Sequence, residues 1–542
     1  MSLSPIFQLS SDYVDQVVSR DPMAAIELGI VPDRLPDFGP EAAEQELKHM
    51  RSTLEELSRL TAESVGDERA AYVLQERLES RIAEIVAGEH LCDLNNLGSP
   101  MHTLRMAFDM VPHETPEQQS AWFVLVADLP RSLQSWLKSL ETGAAEGKVA
   151  SKRQVRVVVQ QAREMAASKF LTDASSNDAE RELAKLGEAA FDQVADWLEN
   201  NYLEKASDSD GVGLERYSLA VKKWNGSSPD LLELFHWGWQ ELDRITVRMQ
   251  EIAEQLQPGL SVKDSLEFLD NHPDYQLQGE AAILGYLRNL TDKTTEEMKA
   301  HFDIPAEIEF CEVRIAPAGS AAAPYYIPPS EDLQRPGCTY LPTLGSDTFN
   351  TWHLVSTWYH EAVPGHHLQI GSTIINREKL SRFQRTFGWT SGFGEGWALY
   401  AERLMDELGY FKDPAHEMGF LSAQALRAVR VVVDIGMHLD LEIPSGQMFE
   451  PAGERISYET SVRMLMERAL QPHDFAVSET NRYLGLPAQA ISYKLGEKTI
   501  LECRKAAAER HGDNFDLKAW HSYVIGIGPV GLDALVAILT EY

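Results

Sequence analysis

FNTWHLVSTWYHEAVPGHHLQ, residues 349–369, combines a helical pattern with a dense group of ionisable side chains. The apolar residues before His360 recur at helical spacing, which predicts an amphipathic helix. Pro364 and Gly365 interrupt it, because proline blocks an interior helical hydrogen bond and glycine permits unusual backbone angles. Three histidines and a glutamate lie in the segment 360–367 around this break, a density that has no evident packing purpose and predicts a metal site.

The spacing of these histidines differs from the common zinc-binding helix. In that helix, H-E-x-x-H places two histidines four residues apart on one face, and the glutamate beside the first is a general base. Here the fourth position after His360 holds a proline, which cannot bind zinc. If Pro364-Gly365 bulges out of the helix as a two-residue insertion, the pattern is restored. His360 and His366 then bind the metal, Glu361 is the base, and His367 is the rival to His366.

A second segment, GEGWALYAE at residues 394–402, offers carboxylates for the same site. A catalytic zinc generally needs a third protein ligand and an open position for water, and Glu395 is predicted as that ligand. If the segment is helical, Glu402 lies seven residues on and nearly on the same face. There it could hydrogen-bond one of the metal ligands, or it could equally be a surface charge.

Arg430, Asp434 and His438 recur at intervals of four on the apolar helix LSAQALRAVRVVVDIGMHLDL. This spacing places them along one face and inside the protein, where polar groups need partners. In a functional reading, Asp434 orients a metal-bound histidine while Arg430 or His438 contacts the substrate. In a structural reading, the three belong to an internal ion-pair network, and the sequence does not decide between the two.

A zinc hydrolase also needs a donor for the oxyanion of the tetrahedral intermediate. Tyr493 in ISYKLG is the first candidate, and Tyr483, Tyr325 and Tyr326 compete with it, although each ring could simply pack in the core or at its rim. A carboxypeptidase would further need a cation for the terminal carboxylate of its substrate. The unranked candidates near Tyr493 are Arg504, Lys494 and Arg482.

Beyond these motifs, residues 1–542 are interpreted as one large, mainly helical domain. Residues 1–303 form a helical scaffold, because apolar residues recur there at three- and four-residue spacing. Residues 304–346 change to β-branched and aromatic residues broken by proline and glycine, which predicts a small sheet or hairpin around 304–343. The helical spacing of apolar residues returns over 347–542, the part that carries the predicted zinc site. No linker or repeat divides the chain.

The charge balance argues against two classes of partner. There are 49 basic and 83 acidic residues, a formal net charge of −34, and such a field repels nucleic-acid phosphates and anionic lipids. The N-terminal residues show no basic region followed by an apolar stretch, and no segment offers about 18 uninterrupted apolar residues for a membrane span. The four cysteines form no CxxC pair and are expected to be reduced, buried thiols. We therefore expect no nucleic-acid or membrane partner, and a cytoplasmic location.

At HEAVPGHHLQ and GEGWALYAE the sequence resembles a bacterial family known as a domain of unknown function, number 885, whose members carry a similar HExxPGH stretch and a later EGW. The resemblance continues through RVVVDIGMH at 430–438, PAQAISYKLG at 487–496 and the closing WHSYVIGIGPVGLDAL, most of the C-terminal third to half. That family is similar in fold to helical zinc metallopeptidases of the Taq-type carboxypeptidase and angiotensin-converting-enzyme groups. This resemblance implies a gluzincin-like site, a two-lobed helical body with a deep cleft, and peptide hydrolysis.

The preferred interpretation is a carboxypeptidase-like peptidase with one Zn²⁺ ion. His360, His366 and Glu395 would hold the metal, while Glu361 takes a proton from the attacking water and passes it to the leaving amine. One alternative is a zinc hydrolase of a non-peptide amide or ester, because nothing in the sequence specifies a peptide over a small-molecule substrate. The other is a non-catalytic helical protein with a structural metal, for which a fourth ligand such as His367 would be expected. Cleavage mode and oligomeric state do not follow from the sequence.

Overall fold

The structure, a computed structural model, describes residues 3–317 and 323–542. Helices make up 68% of it and strands 4%, which confirms the predicted mainly α class. Residues 318–322, inside the predicted β segment, lie outside the described residues. In the part of the chain that is described, no helix is long and apolar enough to cross a membrane.

The chain forms two compact units. The first comprises residues 1–219 and 478–487, and the second comprises residues 220–477 and 488–542. The predicted metal ligands and Tyr493 all belong to the second unit. The predicted subdivision into 1–303, 304–346 and 347–542 follows changes in secondary-structure texture along the chain, and it stays a prediction.

The first unit consists of helices around an apolar core in which Trp122, Trp136 and Phe191 are fully buried. Capping side chains fix where several of these helices begin, because their oxygens accept N–H groups that the first turn leaves unpaired. Thr115 and Gln118 form a reciprocal capping box at one such start. The helices are α1 (Pro5–Arg20), α2 (Pro22–Glu27), α3 (Pro40–Leu57), α4 (Val65–Ala87), α5 (Pro100–Met110), α6 (Pro116–Ala145), α7 (Lys152–Ala167), α8 (Phe170–Asp173), α9 (Asp178–Trp197) and the first part of α10 (Gly213–Asn225).

The second unit contains the helices that carry the predicted site. They are α11 (Leu231–Leu256), α12 (Val262–Asp270), α13 (Glu280–Met298), α14 (Thr351–Glu361), α15 (His366–Ile375), α16 (Arg382–Thr386), α17 (Ser391–Glu407), α18 (Pro414–His438), α19 (Tyr458–Glu467), α20 (His473–Gly485, which ends in the first unit), α21 (Ser492–His511), α22 (Leu517–Ile527) and α23 (Leu532–Thr540). Short 3-10 or π-helical turns occur at Glu89–Leu91, Leu198–Tyr202, Leu203–Lys205, Pro273–Tyr275, Ala306–Ile308 and Gly512–Asn514.

Helix α18 is the centre of the second unit. Every residue from Ala428 to His438 is buried, including the polar Arg430, Asp434 and His438. It packs against α11 and α14, while α17 packs against α21. The helices that carry the predicted ligands and Tyr493 are therefore held against one another inside a single unit.

Two small sheets confirm the predicted β segment. The strands are β1 (Gln276–Gln278), β2 (Glu312–Ile315), β3 (Tyr325–Ile327), β4 (Cys338–Leu341) and β5 (Thr348–Asn350). In the three-stranded sheet, β4 lies in the middle, parallel to β2 and antiparallel to β3. Strand β5 pairs antiparallel with β1, which precedes the predicted segment. A three-residue strand such as β1 is too short to leave an alternating pattern in the sequence.

Helices α17 and α21 approach each other glycine to glycine. A Cβ atom at Gly496 would lie only 2.6 Å from the Cα of Gly396, closer than non-bonded carbon atoms can approach. Because α17 carries Glu395 and α21 carries Tyr493, this contact sets how near the two side chains lie to one another. The small residues of EGW and YKLG are therefore packing requirements.

We expect Gly496→Ala to lower the free energy of unfolding by about 2–4 kcal/mol, because the added methyl group forces the two helices apart. Chemical denaturation measures this change. The matched control is Gly285→Ala in the middle of α13, where an added Cβ meets nothing within 4 Å. That variant should gain roughly 0.5–1 kcal/mol from the higher helix propensity of alanine. Equal effects of the two substitutions would contradict the close approach.

Candidate metal centre

The connection between the two predicted ligand histidines is a tight turn between helices. Helix α14 ends at Glu361 and α15 begins at His366, so the predicted bulge within one continuous helix is wrong. The turn, Ala362–Gly365, contains a cis peptide bond before its proline. Proline has no N–H to continue the ladder, and the Gly365 N–H donates to the Tyr359 carbonyl oxygen at 3.0 Å instead.

This turn is held from two sides. A Cβ at Gly365 would lie 2.5 Å from the Tyr359 carbonyl oxygen, so only glycine fits there. The buried indole N–H of Trp397 donates to the Pro364 carbonyl oxygen at 2.9 Å. Trp397 thus joins the EGW motif to the Pro-Gly turn. The two motifs are adjacent in space.

Three side chains from three helices converge on one point. The Oε2 atom of Glu395 lies 3.4 Å from His360 Nε2 and 3.5 Å from His366 Nε2. The two imidazole rings are nearly perpendicular, at 86°, with centroids 4.8 Å apart. Tetrahedral zinc with bonds of about 2.0–2.1 Å has ligand atoms roughly 3.3–3.4 Å apart. The donor types and their spacing therefore fit a zinc ion.

Glu361 is the second carboxylate at this point. One of its oxygens and one nitrogen of each histidine, His360 and His366, lie within 4.8 Å of one another. Burial raises the pKa of Glu361 against the opposing influence of the two histidines. Burial also disfavours ionised Glu395, but hydrogen bonds from the same two histidines outweigh it and hold the Glu395 pKa well below its usual value. The shorter contacts and the lowered pKa favour Glu395 over Glu361 as the third donor of this cluster.

Glu402 lies behind His360. Its Oε1 is 2.8 Å from His360 Nδ1, and its other oxygen accepts a hydrogen bond from Ser356 Oγ. Both the glutamate and the histidine are buried. Burial alone would lower the pKa of His360, but Glu395 and Glu402 raise it to about 9. A carboxylate at Nδ1 orients the His360 ring so that its Nε2 faces the convergence point, as in many histidine-bound metal sites.

His367 does not join the group. Its Nε2 lies 2.8 Å from the Ile308 carbonyl oxygen and its Nδ1 lies 3.0 Å from the Tyr326 hydroxyl. Burial lowers its pKa to about 4, so the ring is neutral. Consecutive residues of a helix point about 100° apart, which directs His367 away from its neighbour His366. With both ring nitrogens engaged elsewhere, His367 is not available as a metal ligand in this arrangement.

Tyr493 and two arginines lie beside the histidines. The Tyr493 ring stacks on His360 at an interplanar angle of 22°, with centroids 6.3 Å apart. The Cζ of Arg430 is 4.9 Å from the centre of the same ring, and that of Arg427 is 6.0 Å from it. Arg427 was missed from the sequence, although it lies three residues before Arg430 and therefore on a neighbouring part of the same helix surface.

The chain matches, over residues 22–539, the family described as "Bacterial protein of unknown function (DUF885)". It belongs to that family. A proposed lipoprotein from Colwellia psychrerythraea is 21% identical, with a TM-score of 0.82 over 100% of this chain and 99% of that one. A proposed lipoprotein of unknown function from Shewanella oneidensis is 16% identical, with a TM-score of 0.76 over 99% and 100% of the two chains. No curated protein matches. The family match extends from helix α2 onward, well beyond the C-terminal third to half that carries the recognised motifs.

In this DUF885 protein, Asp434 does not contact a ligand histidine through a hydrogen bond. Its Oδ2 accepts the backbone N–H of Ala488 at 3.0 Å, and its Oδ1 lies 3.7 Å from His438 Nε2. The acceptor at His360 is Glu402, and His366 Nδ1 has no hydrogen-bond partner among the described residues. Asp434 and His438 therefore lie side by side in the buried interior, and the choice between the functional and the structural reading stays a prediction.

The tyrosines that compete with Tyr493 are committed to other contacts. The Tyr483 hydroxyl donates to Glu479 at 2.7 Å, and the Tyr326 hydroxyl bonds His367 at 3.0 Å. Tyr325 stacks on a tyrosine of strand β4 with centroids 5.0 Å apart. Of the four candidates, Tyr493 is the one whose ring lies against a predicted metal ligand.

The three cations considered for a substrate carboxylate are each paired with glutamates of the protein. Lys494 is fully buried, and its ammonium group can reach no substrate. A cation already paired in this way offers little further attraction to an anion. The pairs are Lys494 with Glu241 (3.0 Å) and Glu497 (2.6 Å), Arg504 with Glu407 (2.8 Å), and Arg482 with Glu479 (2.8 Å).

Proposed function

We propose that this DUF885 protein is a zinc-dependent hydrolase that cleaves peptide bonds. The observation that carries the proposal is the convergence of His360, His366 and Glu395 at 3.4 and 3.5 Å, with Glu361 beside them. Two histidines and one carboxylate that leave a position open are the donor set of a catalytic zinc, whereas structural sites are usually closed by four protein ligands. The engagement of both His367 nitrogens elsewhere supports an open site.

Peptide hydrolysis rests on a separate argument. The HExxPGH and EGW motifs resemble those of the DUF885 family, whose fold is similar to that of helical zinc metallopeptidases, and here the two motifs lie together around one cluster. Resemblance at the level of fold and motif does not specify a substrate.

The chain's own residues supply the remaining steps of such a reaction. When bound, zinc polarises the substrate carbonyl and makes water a stronger nucleophile at neutral pH. His360, His366 and Glu395 would hold the ion. Glu361 would accept the proton of the attacking water and deliver it to the leaving amine. The Tyr493 hydroxyl would donate a hydrogen bond to the carbonyl oxygen as negative charge develops on it.

A structural metal is the second candidate, because Glu361 is close enough to the histidines to act as a fourth ligand. Two histidines and two glutamates would then close the site and leave no position for water. The two candidates make opposite predictions for removal of the Glu361 charge. If Glu361 is a catalytic base, the protein keeps its metal but loses activity. If Glu361 is a fourth ligand, the protein loses the metal.

Metal analysis combined with cleavage of a mixed peptide library, read by mass spectrometry, tests the proposal. We expect about one zinc per chain, cleavage that stops on chelation, and recovery on addition of zinc. The position of the cut assigns the cleavage mode. Stoichiometric zinc without peptide cleavage would redirect the proposal to a non-peptide amide or ester, and a protein that binds no zinc would refute it.

We further propose a cytoplasmic location without nucleic-acid or membrane partners. The supporting observations are the net charge of −34 and four free cysteines, of which Cys92, Cys311 and Cys338 are buried. The two similar solved structures are described as proposed lipoproteins, so attachment to the cell envelope is the alternative. Fractionation of cells that express the full chain separates these locations, and recovery with the membranes would contradict the proposal.

A further inference from the structure

Arg427, on helix α18, has no carboxylate in ion-pair contact among the residues that the structure describes. Its Nη1 donates to the Ala423 carbonyl oxygen of the same helix at 3.2 Å, and its buried Nε has no hydrogen-bond partner there. The side chain is partly exposed. Other arginines of this unit differ: Arg403 lies 3.3 Å from Glu497 and Arg504 lies 2.8 Å from Glu407.

Arg427 lies one aromatic ring away from the candidate metal centre. Its guanidinium carbon is 6.0 Å from the centre of the Tyr493 ring, and that ring stacks on His360. The charge of Arg427 also acts electrostatically on Glu361 and Glu402. The guanidinium thus lies against the same aromatic ring that stacks on His360, a proposed metal ligand.

An unpaired guanidinium is unusual in a chain with 83 acidic residues. Buried donors in proteins are nearly always paired, so a donor without an acceptor calls for a water, an ion or a ligand. Guanidinium groups bind carboxylates through two parallel hydrogen bonds, which makes a carboxylate the matching ligand. The neighbouring Arg430 adds a second positive charge 4.9 Å from the Tyr493 ring centre.

We propose that Arg427 binds the terminal carboxylate of the substrate, so that the substrates are peptides and N-acyl amino acids with a free C-terminus. This inference rests on the proposed function. Only one residue, a step of about 3.8 Å between consecutive Cα atoms, separates the cleaved carbonyl from the terminal carboxylate. A carboxylate recognised one ring beyond the metal ligands places the last peptide bond at the metal, and the enzyme therefore releases the C-terminal residue.

The test compares acetyl-Ala-Phe with its C-terminal amide, acetyl-Ala-Phe-NH2. Hydrolysis of the acid consumes one water and yields acetylalanine and phenylalanine. We expect the native chain to prefer the acid, and Arg427→Gln to lower kcat/KM for the acid about 10- to 100-fold while kcat/KM for the amide changes little. Arg427→Lys should keep part of the preference, because it retains the charge but not the paired hydrogen bonds. The control is Arg248→Gln, a surface arginine already paired with Glu251 and Glu417.

Calorimetric binding in a Glu361→Gln background separates this inference from the proposed function, because it requires no turnover. Tighter binding of the acid than of the amide, lost on further substitution Arg427→Gln, supports the role of Arg427 even when the native chain hydrolyses neither compound. In that case only the proposed hydrolase fails. Equal binding of acid and amide, or a preference that survives Arg427→Gln, overturns the inference. If the native chain still cleaves peptides, the proposed function then stands without it.

Discussion

Glu361→Gln is expected to retain zinc and to lose hydrolysis by about 10²- to 10⁴-fold. The amide has nearly the same size and shape as the carboxylate, so the packing of this buried position is preserved, but it cannot accept a proton. Glu395 remains in place to hold the metal with His360 and His366. The measurements are zinc content by elemental analysis and kcat for a peptide that the native chain cleaves.

The control for this substitution is Glu378→Gln, which makes the same change at an exposed glutamate of the same unit. It should leave both zinc content and kcat unaltered. Loss of zinc from a folded Glu361→Gln chain would show that Glu361 is a ligand, and the closed structural site would then replace the catalytic one. Retained zinc with undiminished kcat would assign the proton transfer to another group.

Helical periodicity was sufficient to predict the mainly α class, since it depends on residues close together in sequence. The same local reasoning paired His360 with His366 and put Glu402 nearly on the same helix face as Glu395. It failed at the Pro-Gly break, where the ladder ends at Glu361 and a new helix starts. Whether such a break yields a bulge or a turn depends on tertiary contacts, including the hydrogen bond from Trp397.

Contacts between distant segments account for what the sequence left undecided. His367 forms hydrogen bonds with Ile308 and Tyr326, and not with the candidate metal centre. These partners lie 59 and 41 residues away along the chain. Asp434 is drawn to the backbone of Ala488, 54 residues on. No local pattern encodes these partners. Arg427, by contrast, was visible on the helix surface next to Arg430, but its lack of a paired carboxylate appears only in the folded chain.

A buried network of charged side chains lies next to the candidate metal centre. Lys494 contacts Glu241, Glu497 and Gln424, while Arg403 lies 3.3 Å from Glu497. Burial opposes ionised Glu241, but the nearby cations, Lys494 first, hold its pKa well below the usual value. The network connects four helices, α11, α17, α18 and α21. Because Arg403 and Lys494 each directly follow a residue of the site, these pairs fix the positions from which the site side chains extend.

The second large effect is expected on zinc affinity when Glu395, the proposed metal ligand, is substituted. We expect Glu395→Gln to weaken zinc binding by more than about 100-fold, because removal of an outer hydrogen-bond partner alone typically costs 10- to 100-fold and a direct ligand contributes more. Glu402→Gln should fall within that smaller range, since it weakens the hold on His360 Nδ1 without removing a ligand. Competition with a chromogenic chelator measures the zinc Kd of each variant.

The order of these two effects distinguishes the candidate ligand sets. Ser356→Ala, which removes only the hydroxyl that donates to Glu402, is the mild control and should change the zinc Kd less than either glutamate substitution. A zinc Kd that responds to Glu361→Gln but not to Glu395→Gln would move the third ligand to the helix of His360. Glu361 would then be the metal ligand and Glu395 the proton acceptor. This is the reverse of the assignment proposed from the 3.4 and 3.5 Å contacts of Glu395 with the two histidines.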